Sequence, residues 1–301
     1  MQKGRVIQST GSWYLVDTGE EIVESRLPGR FRLDEKEVTN PVTVGDHVEI
    51  SVNEDGTGNI EHIDTRENYI TRQATHGKRG EQILVSNLDQ ACVVQSIKKP
   101  RLKEGFIDRF LVTCEAYEVK PVIIINKMDL AKQGGKEFAQ ELKVLYTGLG
   151  YTVLLTSIED SNSLEALKEL LKDKTSAFIG PSGVGKTSLI NAVDPNYTLK
   201  TGEISDFSNK GKHTTTFAQL IPLSFGGYIA DTPGIREFGL VNIEPWELSL
   251  FFPEMLEPRE HCKFHNCTHN HEPKCGVAEA FENGEIATSR YQSYLNMLDS
   301  L

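Results

Sequence analysis

A chain of 301 residues with 38% hydrophobic and 25% charged side chains has room for roughly two or three domains with real cores. It contains no run of 18 apolar residues and no basic-then-apolar N-terminus, so neither a membrane span nor a signal peptide is expected, and a cytoplasmic location is. The net charge of −11 argues against a general nucleic-acid binder, and five unevenly placed cysteines argue against a disulfide framework.

From Gly4 to about Asp64, short β-branched or alternating runs such as Arg5-Val6-Ile7, Trp13-Tyr14-Leu15-Val16 and Val48-Glu49-Ile50-Ser51-Val52 are punctuated by glycines. That spacing predicts a small all-β barrel over residues 1–64, with an OB-type barrel preferred to a sandwich or SH3-like barrel. This segment carries six basic and thirteen acidic side chains, so only short patches of it suit RNA.

Beyond it the pattern changes. Ile83-Leu84-Val85, Ala91 to Val94, Val122 to Ile125, Val153 to Leu155 and Ala177 to Ile179 read as buried parallel strands. Phe106 to Tyr117, Lys136 to Leu145 and Leu164 to Leu171 read as crossover helices, which makes residues 65–239 an α/β domain.

Asn126-Lys127-Met128-Asp129 ends the most apolar of these strands. A carboxylate at Asp129 can accept from both N1–H and the exocyclic amine of guanine, an arrangement adenine does not offer. Asn126 would brace the loop and the stem of Lys127 would cover the base. Thr156-Ser157-Ile158, after the next strand, offers backbone N–H groups to the guanine O6.

Gly180-Pro181-Ser182-Gly183-Val184-Gly185-Lys186-Thr187 follows an apolar strand and precedes a helical pattern, Ser188 to Val193. These are the flanks a phosphate-binding loop requires. The glycines let successive N–H groups converge on a β-phosphate, and the helix start adds its positive end. Lys186 would bridge the β- and γ-phosphates, Thr187 would ligate Mg²⁺, and the Ser188 N–H would reach the α-phosphate.

After a hairpin-like stretch, Leu220 to Ala230, comes Asp231-Thr232-Pro233-Gly234. There Asp231 would hold Mg²⁺ and the Gly234 N–H the γ-phosphate, as in a nucleotide-dependent switch. Lys210 to Thr216 lies between loop and hairpin, and Thr215 is favoured as the remaining Mg²⁺ ligand. Ile235 stands where many GTPases use a glutamine to orient water, which leaves His213 or a partner to do so. The base-reading tetrad precedes the phosphate loop, the reverse of the ordinary order, so the GTPase domain is circularly permuted.

Residues 240–301 show no strand pattern; helices are expected from about Val277 to Phe281 and from Tyr291 to Leu298. Cys262-x4-Cys267-x-His269-x5-Cys275 supplies the Cys₃His set of a closed structural zinc site, with His261, His265 and His271 as substitutes by proximity. Cys92 and Cys114 fall in apolar patterns and read as core residues.

Together these motifs closely resemble the ribosome small-subunit-dependent GTPase A family, RsgA, over nearly the whole chain. The resemblance implies an OB barrel, a permuted GTPase domain and a zinc domain acting on the maturing small ribosomal subunit and its rRNA, with subunit-stimulated GTP hydrolysis. Other guanosine diphosphate-type nucleotides are expected to compete for the pocket, and a monomer is expected. A metal-handling GTPase and a weakly hydrolysing guanine-nucleotide sensor are the alternatives.

Overall fold

A computed structural model of the chain describes residues 1–29, 41–73, 81–195, 218–231 and 243–301. At the N-terminus β1 (Gln2–Ser9), β2 (Trp13–Asp17), β3 (Ile22–Arg26), β4 (His47–Val52) and β5 (Gly58–Ile63) join in the order β1-β2-β3-β5-β4. Pairing of β1 with β4 closes the ring into a five-stranded barrel, with β3 and β5 parallel. Alternation places Tyr14, Val16, Val23, Val48, Ile50 and Ile60 inside. Removing each such side chain from water contributes about 1.5–3 kcal/mol.

The barrel meets the strands of the central domain through backbone contact. Gly45 adopts φ +99°, and a Cβ there would overlap the Ser86 carbonyl oxygen, so only glycine lets the two backbones meet. Ser86 N–H donates to Val44 O (3.0 Å), and the Asp46 carboxylate accepts from Ser86 Oγ (2.6 Å) and Arg66 Nε (2.7 Å).

Ile83 to Val85 lies on β7 (Glu81–Ser86), which pairs antiparallel with β6 (Tyr69–Gln73) in a separate two-stranded ribbon. This corrects the expectation of a parallel strand in the main sheet. An apolar run encodes burial, not strand direction; the seven residues between β6 and β7 are too few for a parallel crossover, which needs about a dozen.

The α/β domain proper runs β8 (Gln90–Ser96), α1 (Glu104–Ala116), β9 (Pro121–Asn126), α2 (Gln133–Gly148), β10 (Thr152–Leu155), α3 (Ser161–Leu171), β11 (Thr175–Ile179), α4 (Lys186–Val193), β12 (Gln219–Pro222) and β13 (Tyr228–Asp231). Its strand order is β10-β9-β8-β11-β13-β12, parallel except for β12 against β13. Alternation splits the central strands between two cores. Ala91, Val93, Ile123 and Ile125 meet Ile107, Leu111, Leu142 and Tyr146 of α1 and α2. Cys92, Val94, Val122 and Ile124 meet Leu167, Leu171, Leu189 and Ile190 of α3 and α4. Burial raises the Cys92 thiol to about 12, which suits a core residue.

The C-terminal unit comprises a 3-10 turn at Leu248–Phe251, α5 (Pro253–Arg259), α6 (Gly276–Glu282) and α7 (Thr288–Leu298). Its core of Leu248, Phe252, Met255, Val277, Tyr294 and Met297 includes Val112 from α1. Beside that contact the buried Arg290 of α7 donates to Asp108 of α1 (2.6 Å) and Glu254 of α5 (2.6 Å). No helix among the described residues is long and apolar enough to cross a membrane.

Candidate nucleotide site and metal centre

The phosphate loop leaves the buried end of β11 and enters α4 at Lys186. Gly180 (φ +153°) passes so close to β8 that a Cβ would overlap Val94 O, and Gly185 (φ +97°) caps α4 with a left-handed backbone. Lys186 Nζ curls over the loop onto Gly180 O (2.7 Å) and Pro181 O (3.0 Å). Val184 is buried and anchors the loop in the α3/α4 core.

Asn126 and Lys127 bind this loop directly. The buried Asn126 side chain donates from Nδ2 to Val184 O (2.9 Å) and accepts from Thr156 Oγ1 (3.1 Å). Lys127 takes φ +63°, which turns the chain at the end of β9, and its ammonium donates to Gly183 O and to Lys99 O (2.7 Å). Met128 packs on the α1/α2 core while Asp129 stays exposed. Ser157 Oγ donates to Asp129 Oδ1 (2.7 Å), and the Ser157 N–H donates to Ser163 Oγ (3.2 Å) at the start of α3. The Ser157 hydroxyl thus joins this segment to Asp129, a contact the sequence does not anticipate.

Parallel pairing of β11 with β13 aligns Ala177 with Ala230, so Asp231 follows one residue beyond that pair, beside the strand that carries the loop. His213, Thr215, Gly234 and Ile235 lie outside the described residues.

In the C-terminal unit the ligand atoms of Cys262, Cys267, His269 and Cys275 all lie within 4.8 Å of one another. His269 Nδ1 is 3.4 Å from Cys262 Sγ and 3.3 Å from Cys275 Sγ, and the two sulfurs are 3.8 Å apart. Tetrahedral zinc with bonds of about 2.0–2.3 Å separates its ligands by roughly 3.3–3.8 Å, so Cys262, His269 and Cys275 match its spacing and Cys267 lies near enough to complete the set. Burial and nearby Arg259 lower His269 to about 4, which keeps the imidazole neutral and able to bind metal. His261 instead faces Glu257 (3.1 Å).

Two supporting residues escaped sequence reasoning. Ser249 Oγ sits 3.0 Å from His269 Nε2 and orients the ring, as outer-shell partners of metal-binding histidines do. Its distance in sequence from the ligands left no signal. Glu272 accepts from Thr268 N–H and Oγ1 (both 2.7 Å) and from the Asn270 and His271 amides (3.2 Å each). Burial opposes its charge, but these bonds hold its carboxyl down to about 2. Its position inside the ligand loop was the available clue.

A family model described as RsgA GTPase matches residues 63–241, and one described as RsgA N-terminal domain matches residues 3–60. The small ribosomal subunit biogenesis GTPase RsgA of Phocaeicola vulgatus is 46% identical over 298 residues, covering 99% of this chain and 96% of its own. Its namesake from Flavobacterium johnsoniae is 43% identical over 300 residues, 98% of this chain and 92% of the relative. Among solved structures, YjeQ from Thermotoga maritima superimposes with TM-score 0.83 at 39% identity, covering 100% of this chain and 98% of its own. YloQ, described as a circularly permuted GTPase, gives 0.78 at 33%, with 100% and 94% covered. Likeness that spans both ends of the chain, on a sheet whose Asn126–Asp129 strand end precedes the Gly180–Thr187 loop, makes this chain a member of the RsgA GTPase family.

Proposed function

We propose that this GTPase acts in assembly of the small ribosomal subunit, with hydrolysis stimulated by that subunit. The observation that supports the reading is the hydrogen bond from Asn126 to Val184, which brings the proposed base reader and phosphate loop together from segments 58 residues apart. We divide the chain into a barrel (1–64), a GTPase domain (65–239) and a zinc-binding unit (240–301).

Asp129, held by Ser157, selects guanine. Asn126 and Lys127 set the base-binding loop against the phosphate loop. The amides from Gly180 to Ser188 and the Lys186 ammonium bind the phosphates, and the Gly234 N–H holds the γ-phosphate. Thr187, Thr215 and Asp231 hold magnesium, which when bound neutralises charge on the β- and γ-phosphates. His213 orients the attacking water, the task Ile235 cannot perform. Cys262, Cys267, His269 and Cys275 hold a structural zinc, and four converging ligands leave no open position for metal transfer. The partner named for the relatives, the small ribosomal subunit, brings rRNA to the flanking units.

Ile235 also favours a second reading, a guanine-nucleotide sensor that scarcely turns over. One experiment separates the two: GTP hydrolysis by the protein alone, with small subunits, and with large subunits as control. Stimulation by small subunits alone is expected. Bound GTP without stimulation by either subunit would refute the assembly reading and leave the sensor. His213→Ala is expected to abolish the stimulated rate while nucleotide affinity persists.

A further inference from the structure

The strand that ends in Asp231 is held by the barrel directly at one end and through β12 at the other. At one end, Tyr228 OH donates to Asp17 Oδ2 of β2 (2.8 Å), and the Arg5 guanidinium of β1 packs over the Tyr228 ring, 5.5 Å from its centroid. At the other end, Asp231 pairs with Gln219 of β12, and Gln219 pairs in turn with Gln8 of β1. Arg5 extends the grip to neighbouring β11, donating to Thr175 Oγ1 (2.5 Å) and to Asn87 O (2.6 Å).

A four-residue strand is about 10 Å long between its first and last Cα. Pairing with β11 along Tyr228 to Ala230 and with β12 along its whole length joins the two ends of β13 in one hydrogen-bonded frame. Burial and the Asp17 hydrogen bond push the Tyr228 hydroxyl up to about 12, so it remains a donor throughout the neutral range. Beside this clamp lies a cleft of about 270 Å³ lined by Lys3, Arg5, Asp17, His47, Asp64 and Tyr228.

We propose that the barrel sets the position of the magnesium carboxylate, with Asp17 and Gln8 as positioning residues that act on Asp231 through Tyr228 and Gln219. The inference rests on the magnesium role proposed for Asp231. By linkage the coupling runs both ways: whatever grips the barrel changes magnesium-dependent nucleotide affinity, and the bound nucleotide changes the barrel's first strand. A partner on the barrel thereby regulates the site without touching nucleotide.

The test uses the full chain and titrates magnesium against binding of a fluorescent non-hydrolysable GTP analogue. Tyr228→Phe removes the hydroxyl and keeps the ring under Arg5; Asp17→Ala removes the acceptor. Each is expected to raise the half-saturating magnesium concentration about fivefold, at the lower end of measured site–site coupling. The double variant should be no worse than either alone, and Asp17→Asn, which still accepts, should stay near wild type. A purely structural role would lower the melting temperature without moving the magnesium requirement, and that result overturns the proposal. Should the variants fold poorly, hydrogen exchange of the Val6–Ser9 amides in the wild type decides. Different exchange with GDP and with the GTP analogue supports the coupling, and identical exchange overturns it. A folded wild type that binds neither nucleotide overturns the GTPase reading itself, and the coupling with it.

Discussion

Replacing Arg290 with methionine tests how the C-terminal unit is fastened to α1 of the α/β domain. The guanidinium is 1% exposed and joins Asp108, whose side chain is fully buried, to Glu254, at 7% exposure. Burial opposes its charge, yet hydrogen bonds and attraction from Glu254 and Asp108 raise its pKa above the usual arginine value, so it stays protonated. Phe252 lies under it, 4.6 Å from guanidinium carbon to ring centroid. Tyr146 OH also donates to Asp108 Oδ1 (2.7 Å), while Asp108 Oδ2 has no hydrogen-bond partner among the described residues. Methionine fills the space of the stem and leaves two carboxylates without a counter-charge. Breaking a buried pair in this way costs about 3–5 kcal/mol, against about 0–1 for an exposed one. At about 2–4 °C per kcal/mol, melting should fall by roughly 6–20 °C. Circular dichroism follows the melt, and fluorescence of Trp246 in the C-terminal unit, set against Trp13 in the barrel, locates the loss. Adding Asp108→Asn and Glu254→Gln to Arg290→Met removes the stranded charges and should recover most of the stability. A loss below about 1 kcal/mol for the single variant, or a triple variant no better than the single, would refute the reasoning.

Asp129→Asn exchanges an acceptor for a donor at the base and should shift preference from GTP toward xanthosine triphosphate; competition binding that shows GTP affinity unchanged excludes Asp129 as the base reader. Gly185→Ala places a Cβ 2.5 Å from Asn126 Nδ2 on a left-handed backbone, so GDP affinity should fall more than about tenfold, roughly 1.4 kcal/mol, by calorimetric titration; wild-type affinity would contradict the close approach. Ser249→Ala should weaken zinc about 10- to 100-fold in a chelator competition with the fold intact, whereas unchanged affinity removes Ser249 from the metal's support. Zinc removal from the wild type should melt the C-terminal unit, because the core that contains Cys267 and Cys275 is built around the ligands; an unchanged Trp246 signal on chelation counts against a structural metal.

Much of this protein is local in its encoding. A phosphate loop needs glycines at fixed offsets, a base reader needs its carboxylate at a strand end, and a tetrahedral metal needs four donors at short spacing. Each proposed site is therefore legible as a string: Gly180 to Thr187, Asn126 to Asp129, and Cys262 to Cys275. The apolar alternation of the barrel and the buried runs of β8, β9 and β11 also come directly from side-chain period. Relations between distant segments are a different matter. Burial of Ile83 to Val85 was legible, but its antiparallel pairing depends on the partner strand and the length of the connection. Ser157 turning its hydroxyl to Asp129, Ser249 beside His269, and Arg290 bridging Asp108 and Glu254 each join residues whose separate contexts carry no mark of the other. The same holds for Gln8, Asp17, Tyr228 and Gln219. Composition, periodicity and motif spacing determined which chemistry this chain carries; only tertiary packing decided which groups orient it, because hydrogen bonds and ion pairs between remote elements depend on distances that exist only once the cores have closed.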